Sequence, residues 1–282
     1  MKLCLTTKFY FIASILQKRK FLSSGVFYFS YSSDPDESFD LTLSSQQRYL
    51  SHQSNKKFLW NFNLHLPFRR FNVDVDAWLL KIICGCVEIK KVITMSQIYK
   101  ACLFSRLSCD RVGTRFNCRG VNDEGNCANF VETEQLVYSV DNDEETSFLQ
   151  LRGSVPVFFE QSGIQVGSHR IKMSRSTHAC YPAFERHIKS LIQEYGTNLF
   201  VLNLLGVKGD ESILTNFFYH MCQISKYSMK MQLIYSGFDY HQELKFNKQA
   251  LGDKMWPAIY KKFYDENHQK HSTDGKFHFL ND

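Results

Sequence analysis

Glycine and proline are scarce in this sequence, 14 and 5 of 282 residues, which excludes collagen-like and Gly/Pro-rich disordered architectures. No apolar run reaches the roughly 18 to 20 uninterrupted residues that a helical membrane span requires. The nearest candidate, LCLTTKFYFIASIL from Leu3, is interrupted by Lys8, is followed rather than preceded by the basic QKRK, and has no small-residue cleavage site after it. It does not read as a secretory leader. Paired cysteines are also missing. Nine cysteines, an odd number spread from Cys4 to Cys222, form no disulfide framework and are expected to be reduced thiols in a cytosolic chain. Cys84 and Cys86 stand close together, but no second Cys or His pair completes a tetrahedral set, so no metal is expected. The sequence has no RNP-type aromatic motif, no zinc finger and no Lys/Arg-rich helix. With 34 basic against 28 acidic residues the net charge is +6, too modest to imply nucleic acid. A mixed solvated surface, or a phosphate-bearing lipid headgroup as partner, fits that balance better.

What is abundant is aromatic and apolar: 25 Phe, 14 Tyr and 3 Trp, with 44 % hydrophobic and 22 % charged residues. This is the composition of a packed, strand-bearing chain of one large or two ordinary domains. GVFYFSYSSD from Gly25 reads as a strand ending in a turn near Asp34 to Ser38. LTLSSQQRYLSHQSNKK, residues 41–57, is polar enough for a surface helix or loop. FLWNFNLHLPF opens an apolar block, and DAWLLKIICGCVEIKKV, residues 76–92, reads as a strand; a domain boundary is expected between Pro67 and Cys84. Residues 111–173 read as a meander of short strands. In it RVGTRFNCRGV and NFVETEQLVYSV flank NDEGN, whose Gly125 supplies the positive φ of a tight turn. FLQLRGSVPVFFEQ follows, broken at Gly153 and Pro156, and then IQVGSHRIKM with period-two alternation. After Cys180 the period changes. Pro182 suits a first helical turn, Phe184, Ile188, Leu191, Ile192 and Tyr195 recur at helical spacing, and Gly196 stops the helix. NLFVLNLL, a helix over Asp210 to Met221, and MQLIYSGFDYH give a strand, helix, strand order with uniformly apolar strands, the pattern of a parallel unit. The expected fold class is therefore mixed α+β and α/β.

Two cysteines stand six residues before an arginine, as in phosphatases whose thiolate attacks phosphorus: Cys109 with Arg115 in CDRVGTR, and Cys180 with Arg186 in CYPAFER. Such a loop must turn its backbone N–H groups inward on the phosphate. Pro182 deletes one of them, and Phe184 and Glu185 crowd or repel an anion. CDRVGTR runs toward a strand, and Phe116 follows its arginine where Ser or Thr is usual. Both matches read as accidental. GVKGDES, residues 206–212, has the position of a phosphate loop but not the glycine spacing or Lys-Ser/Thr end of one. Basic side chains gather at Arg111, Arg115, Arg119, Arg152, Arg170, Lys172 and Arg175, with His169 among them. Either several face one groove suited to a polyanion, or they are exposed strand faces paired with Asp123, Glu124, Glu132 and Glu134.

RVGTRFNCRGVNDEGNCANFVETEQ, then FLQLRGSVPVFFEQSGIQVGSHRIKMSR, then PAFERHIKSLIQEYG and NLLG, resemble in order and spacing the Sac phosphoinositide phosphatase domain, its synaptojanin branch most closely. SGVFYFSY, FLWNFNLHL, WLLKIICGCVEI and FDYH at Phe238 extend the likeness from about Gln17 to the end. Phe159, Cys180 and Tyr181 are mild departures from it. The resemblance implies a cytosolic enzyme, peripheral to membranes, that removes phosphate from the inositol ring of membrane phosphoinositides without metal or other cofactor. It implies an amino-terminal mixed subdomain and a catalytic α/β subdomain, of which 1–80 is expected to be the C-terminal part of the first and 81–282 the N-terminal part of an incomplete second, the chain being cut short at both ends relative to the family. The family's nucleophile sits in a C-x5-R-T/S loop, where a thiolate forms a phosphocysteine that water hydrolyses. That loop lies downstream of FDYH and of the helix after it, so it is expected beyond Asp282. Neither Cys109 nor Cys180 falls at its place. No catalytic residue is assigned, and the polypeptide is expected to be inactive alone. Arg115, Arg119, Arg152, His169, Arg170 and Lys172 remain as headgroup-binding candidates. The alternative is a non-catalytic module that binds phosphoinositides or a protein.

Overall fold

The structure is a computed structural model that describes residues 23–31, 39–50, 53–94, 97–114, 117–142, 144–162, 170–196, 198–228 and 232–239. The chain forms two compact units, one of 1–119 with 126–154 and one of 120–125 with 155–282. The boundary expected at 80/81 falls inside the first unit, in the loop before its second strand.

The first unit is built on a five-stranded antiparallel sheet in the order β1 (Phe27–Tyr28), β2 (Ile83–Ile93), β3 (Ile98–Leu107), β4 (Val131–Ser139), β5 (Glu144–Arg152). Register places Val87, Phe104, Glu134 and Leu149 in one row across β2 to β5, so their side chains share a face. That face holds the unit's apolar cluster, Ile83, Phe104 and Leu136, against which Leu41 packs. LTLSS is therefore no surface segment. Leu41 to Ser45 are all buried, Thr42 and Ser44 completely, and only then does the short helix α1 (Ser45–Leu50) begin. Their polar groups are met locally: Asp40 accepts from the Thr42 N–H at 2.9 Å, the Thr42 hydroxyl at 2.7 Å and the Ser54 hydroxyl at 2.6 Å.

Two other expectations change in this unit. The apolar block after Phe58 forms helix α2 (Phe62–Arg70), and the run from Asp76 opens as the helical turn α3 (Val75–Trp78) before β2 starts at Ile83. Asp74 caps that turn, its side chain accepting from the Asp76 N–H at 3.1 Å, which stops an extended strand from starting there. Among the described residues of 111–119 there is no strand either. Arg111 and Asn129 both take φ +51°, and these left-handed residues turn the chain before the antiparallel strands of the expected meander begin at Val131.

The second unit contains a β-hairpin of β6 (Phe159–Ser162) and β7 (Arg170–Met173), followed by helix α4 (Thr177–Tyr195), β8 (Asn198–Asn203), α5 (Asp210–Ser228) and β9 (Gln232–Gly237). β8 and β9 pair in parallel, as the apolar strand, helix, strand order requires. α4 starts five residues before Pro182. Ser176 is its N-cap, accepting from the Ala179 N–H at 3.4 Å, and Pro182 sits inside the helix on the exposed side, where it removes only the bond to the His178 carbonyl. The buried stripe is Cys180, Ala183, Phe184 and Ile188, and Gly196 ends the helix at φ +97°. Phe184, Val157, Met221 and Cys222 are wholly buried, and the Phe218 ring meets Phe184 and Tyr235 edge-on at 6.2 and 5.8 Å. Each such side chain contributes about 1.5–3 kcal/mol by leaving water.

Candidate functional site

Cys180 is in the first turns of α4, fully buried, with its N–H already donated to the Ser176 carbonyl at 3.0 Å. CYPAFER is thus a helical segment whose backbone N–H groups run along the helix axis, and no inward-facing anion nest exists there. Arg186, at its far end, donates from Nε to the Asp123 carbonyl at 2.8 Å. Cys109 donates its N–H to the Lys57 carbonyl at 2.8 Å, and its thiol lies 3.3 Å from the Lys56 carbonyl. Burial, and secondarily the charge of Asp110, push that thiol above its usual range, so it is protonated at neutral pH. Its partner in the motif, Arg115, lies outside the described residues, as does His169.

The loop after β8 has the placement of a ligand loop in a parallel sheet, at the carboxyl ends of the strands. Two of its amides are nevertheless occupied by the chain's own carboxylates. The Gly206 N–H donates to Glu211 Oε2 at 2.7 Å and the Val207 N–H to Asp239 Oδ2 at 3.1 Å. Two carboxylates at that mouth oppose a phosphate, so GVKGDES is a strand-to-helix connection braced by acid side chains.

The basic candidates divide between the units. Arg119 and Arg152 belong to the first, Arg152 exposed at the end of β5 opposite Val131; Arg111 Nη2 donates to the Arg119 carbonyl at 2.8 Å. Arg170 and Lys172 belong to the second, two residues apart on β7 and both exposed, while Ile171 and Met173 between and beyond them pack on the core. Lys172 faces Glu160 across the hairpin. Arg175 forks onto the Asp123 carboxylate at 2.5 and 3.2 Å and lies 3.7 Å over the Phe158 ring. The guanidinium hydrogen bond and charge hold Asp123 below the usual carboxylate range. With Arg186 on the Asp123 carbonyl and His187 Nδ1 3.0 Å from the Gly125 carbonyl, these groups clamp the 122–125 turn onto α4. Among the described residues, neither Arg170 nor Lys172 makes such a clamp.

Glu132 and Glu134 do not pair with surface arginines. Both are completely buried on Arg106, itself completely buried: Nη1 to Glu132 at 2.9 Å and Nη2 to Glu134 at 2.7 Å. The same guanidinium donates to the Leu41 carbonyl at 2.6 Å and the Leu43 carbonyl at 3.0 Å. The sequence carries a signal for the burial of the two acids, though not for the arginine that meets them. Glu132, Glu134 and Leu136 share the parity that faces the core in VETEQLVY, which is no place for two unpaired acids.

Among the described residues no cluster of His, Cys, Asp or Glu is arranged to hold a metal ion, and no helix is long and apolar enough to cross a membrane. The SacI homology domain matches residues 7–245 of this chain. The chain belongs to that family. Within it, human synaptojanin-1 is similar at 45 % identity over 252 residues, covering 89 % of this chain and 16 % of the relative's own length. Synaptojanin of Caenorhabditis elegans is 42 % identical over 250 residues, 88 % of this chain and 21 % of its own. Inositol-1,4,5-trisphosphate 5-phosphatase 1 of Schizosaccharomyces pombe is 35 % identical over 278 residues, 92 % of this chain and 25 % of its own. This SacI homology chain thus spans a quarter or less of the length of these relatives. The matched span contains the 122–125 turn, Arg106 with its two glutamates, and the exposed Arg170 and Lys172.

Proposed function

We propose that this chain is the headgroup-facing portion of a phosphatidylinositol phosphate phosphatase, acting at a membrane surface, and that it does not turn over substrate by itself. The observation that carries the family part is the continuous match to the SacI homology domain over residues 7–245. The second part rests on the two cysteine motifs: Cys180 is buried in a helix that has already used its amides, and Cys109 is a thiol held protonated. In this reading the phosphocysteine chemistry of the family belongs to a C-x5-R-T/S loop that neither motif represents. Among the basic candidates, Arg170 and Lys172 are best placed to meet inositol phosphates, because the fold exposes both on one strand face. Arg119 and Arg152, which belong to the other unit, are retained as separate candidates.

The test uses the purified chain with phosphatidylinositol phosphates in vesicles. No phosphate release is expected from the chain or from its Cys109→Ser and Cys180→Ser variants; turnover that either substitution abolishes overturns the assignment. Sedimentation should show retention on phosphoinositide vesicles that falls with added salt and with Arg170→Ala/Lys172→Ala. Equal retention on neutral vesicles counts against headgroup binding.

A further inference from the structure

The segment between Asn61 and Ile82 turns its apolar side chains outward. Leu64 is 62 % exposed, Leu66 45 %, Phe71 75 %, Val73 40 %, Trp78 72 % and Leu80 40 %. Isolated exposed apolar residues are ordinary; six within one short excursion, three of them more than 60 % exposed, are not. The excursion is firmly rooted. Asn61 Nδ2 donates to the Leu80 carbonyl at 2.7 Å, and Asn61 Oδ1 accepts from the Ile82 N–H at 3.1 Å. The Trp60 N–H reaches the Ile82 carbonyl at 2.8 Å, and the Val73 N–H closes back on the Phe68 carbonyl at 2.9 Å. α2 and α3 are thereby held in a closed loop that buries His65 and leaves Leu64, Phe71 and Trp78 exposed.

Cations outnumber acids around this loop, five (Lys56, Lys57, Arg69, Arg70, Lys81) against two (Asp74, Asp76) between residues 56 and 82, although Lys81 is itself paired with both Asp40 and Asp76. Lys56 lies 5.7 Å and Arg69 5.9 Å from the Phe62 ring, Arg70 is exposed in the last turn of α2, and Lys57 and Lys81 flank the loop. The two acids in it are engaged locally: Asp74 caps α3, and Asp76 pairs with Lys81 at 3.4 Å. Projecting Trp, Phe and Leu side chains ringed by Lys and Arg match the layered chemistry of an anionic bilayer surface, apolar below and phosphate above. A protein partner would need a recess shaped to each projecting ring, whereas a bilayer needs none.

We propose that the 61–82 loop is a membrane wedge that inserts Leu64, Phe71 and Trp78 into the interface of an anionic bilayer, with Arg69 and Arg70 at headgroup level. The proposal is independent of the phosphoinositide reading and needs only negative lipid. The experiment measures partitioning of the full chain onto phosphatidylcholine/phosphatidylserine vesicles, with and without a phosphoinositide. Leu64→Ser/Phe71→Ser/Trp78→Ser should lower partitioning by at least about tenfold on both vesicle types, with an unchanged circular dichroism spectrum since the three side chains are exposed. Arg170→Ala/Lys172→Ala should lower it only where phosphoinositide is present, which separates failure of the headgroup reading from failure of the wedge. Brominated lipid should quench fluorescence in the parent chain, and Trp78→Phe should lose that quenching while still binding. Equal partitioning of parent and triple variant overturns the wedge, as does a triple substitution that only converts a dimer of this chain to monomer.

Discussion

Arg106 Nη1 lies 2.9 Å from Glu132 Oε1 with neither side chain reaching solvent, and the neighbouring Nη2 holds Glu134 at 2.7 Å. Glu134 also accepts from the Ser45 N–H at 2.7 Å and the Ser147 hydroxyl at 2.9 Å, so one guanidinium ties β3 and β4 to the segment that lies across them. Removing the cation leaves two buried acids with fewer partners. Arg106→Met is expected to destabilise the chain by about 3–5 kcal/mol, read by urea denaturation followed by circular dichroism. Adding Glu132→Gln and Glu134→Gln should recover part of that loss, since neutral side chains are cheaper to bury. A single variant as stable as the parent would remove the network from any account of this fold.

Gly120 and Gly209 take almost the same backbone angle, φ +66° and +67°, in opposite surroundings. A Cβ at Gly120 would lie 2.2 Å from the Val157 carbonyl oxygen, while one at Gly209 meets nothing within 4 Å. Gly209→Ala should therefore cost only the left-handed conformation, about 1–2 kcal/mol, and Gly120→Ala measurably more, because backbone must move as well. Equal losses in parallel urea titrations would show that the second unit yields at Val157 without resistance.

Where apolar periodicity decided the structure, the sequence was readable. Phe184 and Ile188 mark the buried side of α4, and the uniform run from Asn198 marks a strand of a parallel pair, although its Leu199 to Leu202 are only half-buried. It was unreadable where polar side chains satisfy one another in the interior. Thr42 and Ser44 look like surface residues until Asp40 and the Arg106 network are seen beside them. Glu132 and Glu134 looked like partners for surface arginines because the pattern does not show which arginine lies on the core face. α2 was missed for a related reason, its apolar residues facing outward as well as in. Of the candidate site, the weakness of both cysteine motifs could be argued from Pro182 and Phe116. The division of the arginines between two units could not, since the crossing at 120–125 depends on turns with left-handed residues at either end.

Asp40 gives the acid limb of stability a specific origin. Burial alone raises its pKa, but the hydrogen bonds from Ser54 and Thr42 and the charge of Lys81 outweigh it, so the folded-state value lies below the ordinary one of about 3.9. A depressed carboxyl contributes stability that is present above the unfolded-state pKa and lost as pH falls through the folded one. Asp40→Asn should cost about 1–3 kcal/mol at pH 7, and the gap between variant and parent should close as the pH drops below about 4. Urea midpoints at pH 7, 5, 4 and 3 check it; a gap that widens on acidification would reverse the sign.

Thiol reactivity ranks the cysteines by the property a nucleophile needs. Cys86 is exposed on β2, whereas Cys127, Cys180 and Cys222 are buried, and burial pushes the Cys222 thiol up to about 12 and that of Cys127 higher still. Alkylation needs both access and thiolate, so exposure and a low pKa act together. Timed iodoacetamide labelling of the native chain at pH 7, resolved by peptide mass spectrometry, should modify Cys86 first among the described cysteines, Cys109 slowly, and Cys180 and Cys222 only after unfolding. A phosphatase nucleophile behaves in the opposite way, because its anion-binding loop holds it as thiolate. Rapid modification of Cys109 or Cys180, slowed by inorganic phosphate, would return that residue to candidacy and withdraw the proposal that this portion of the protein lacks its own nucleophile.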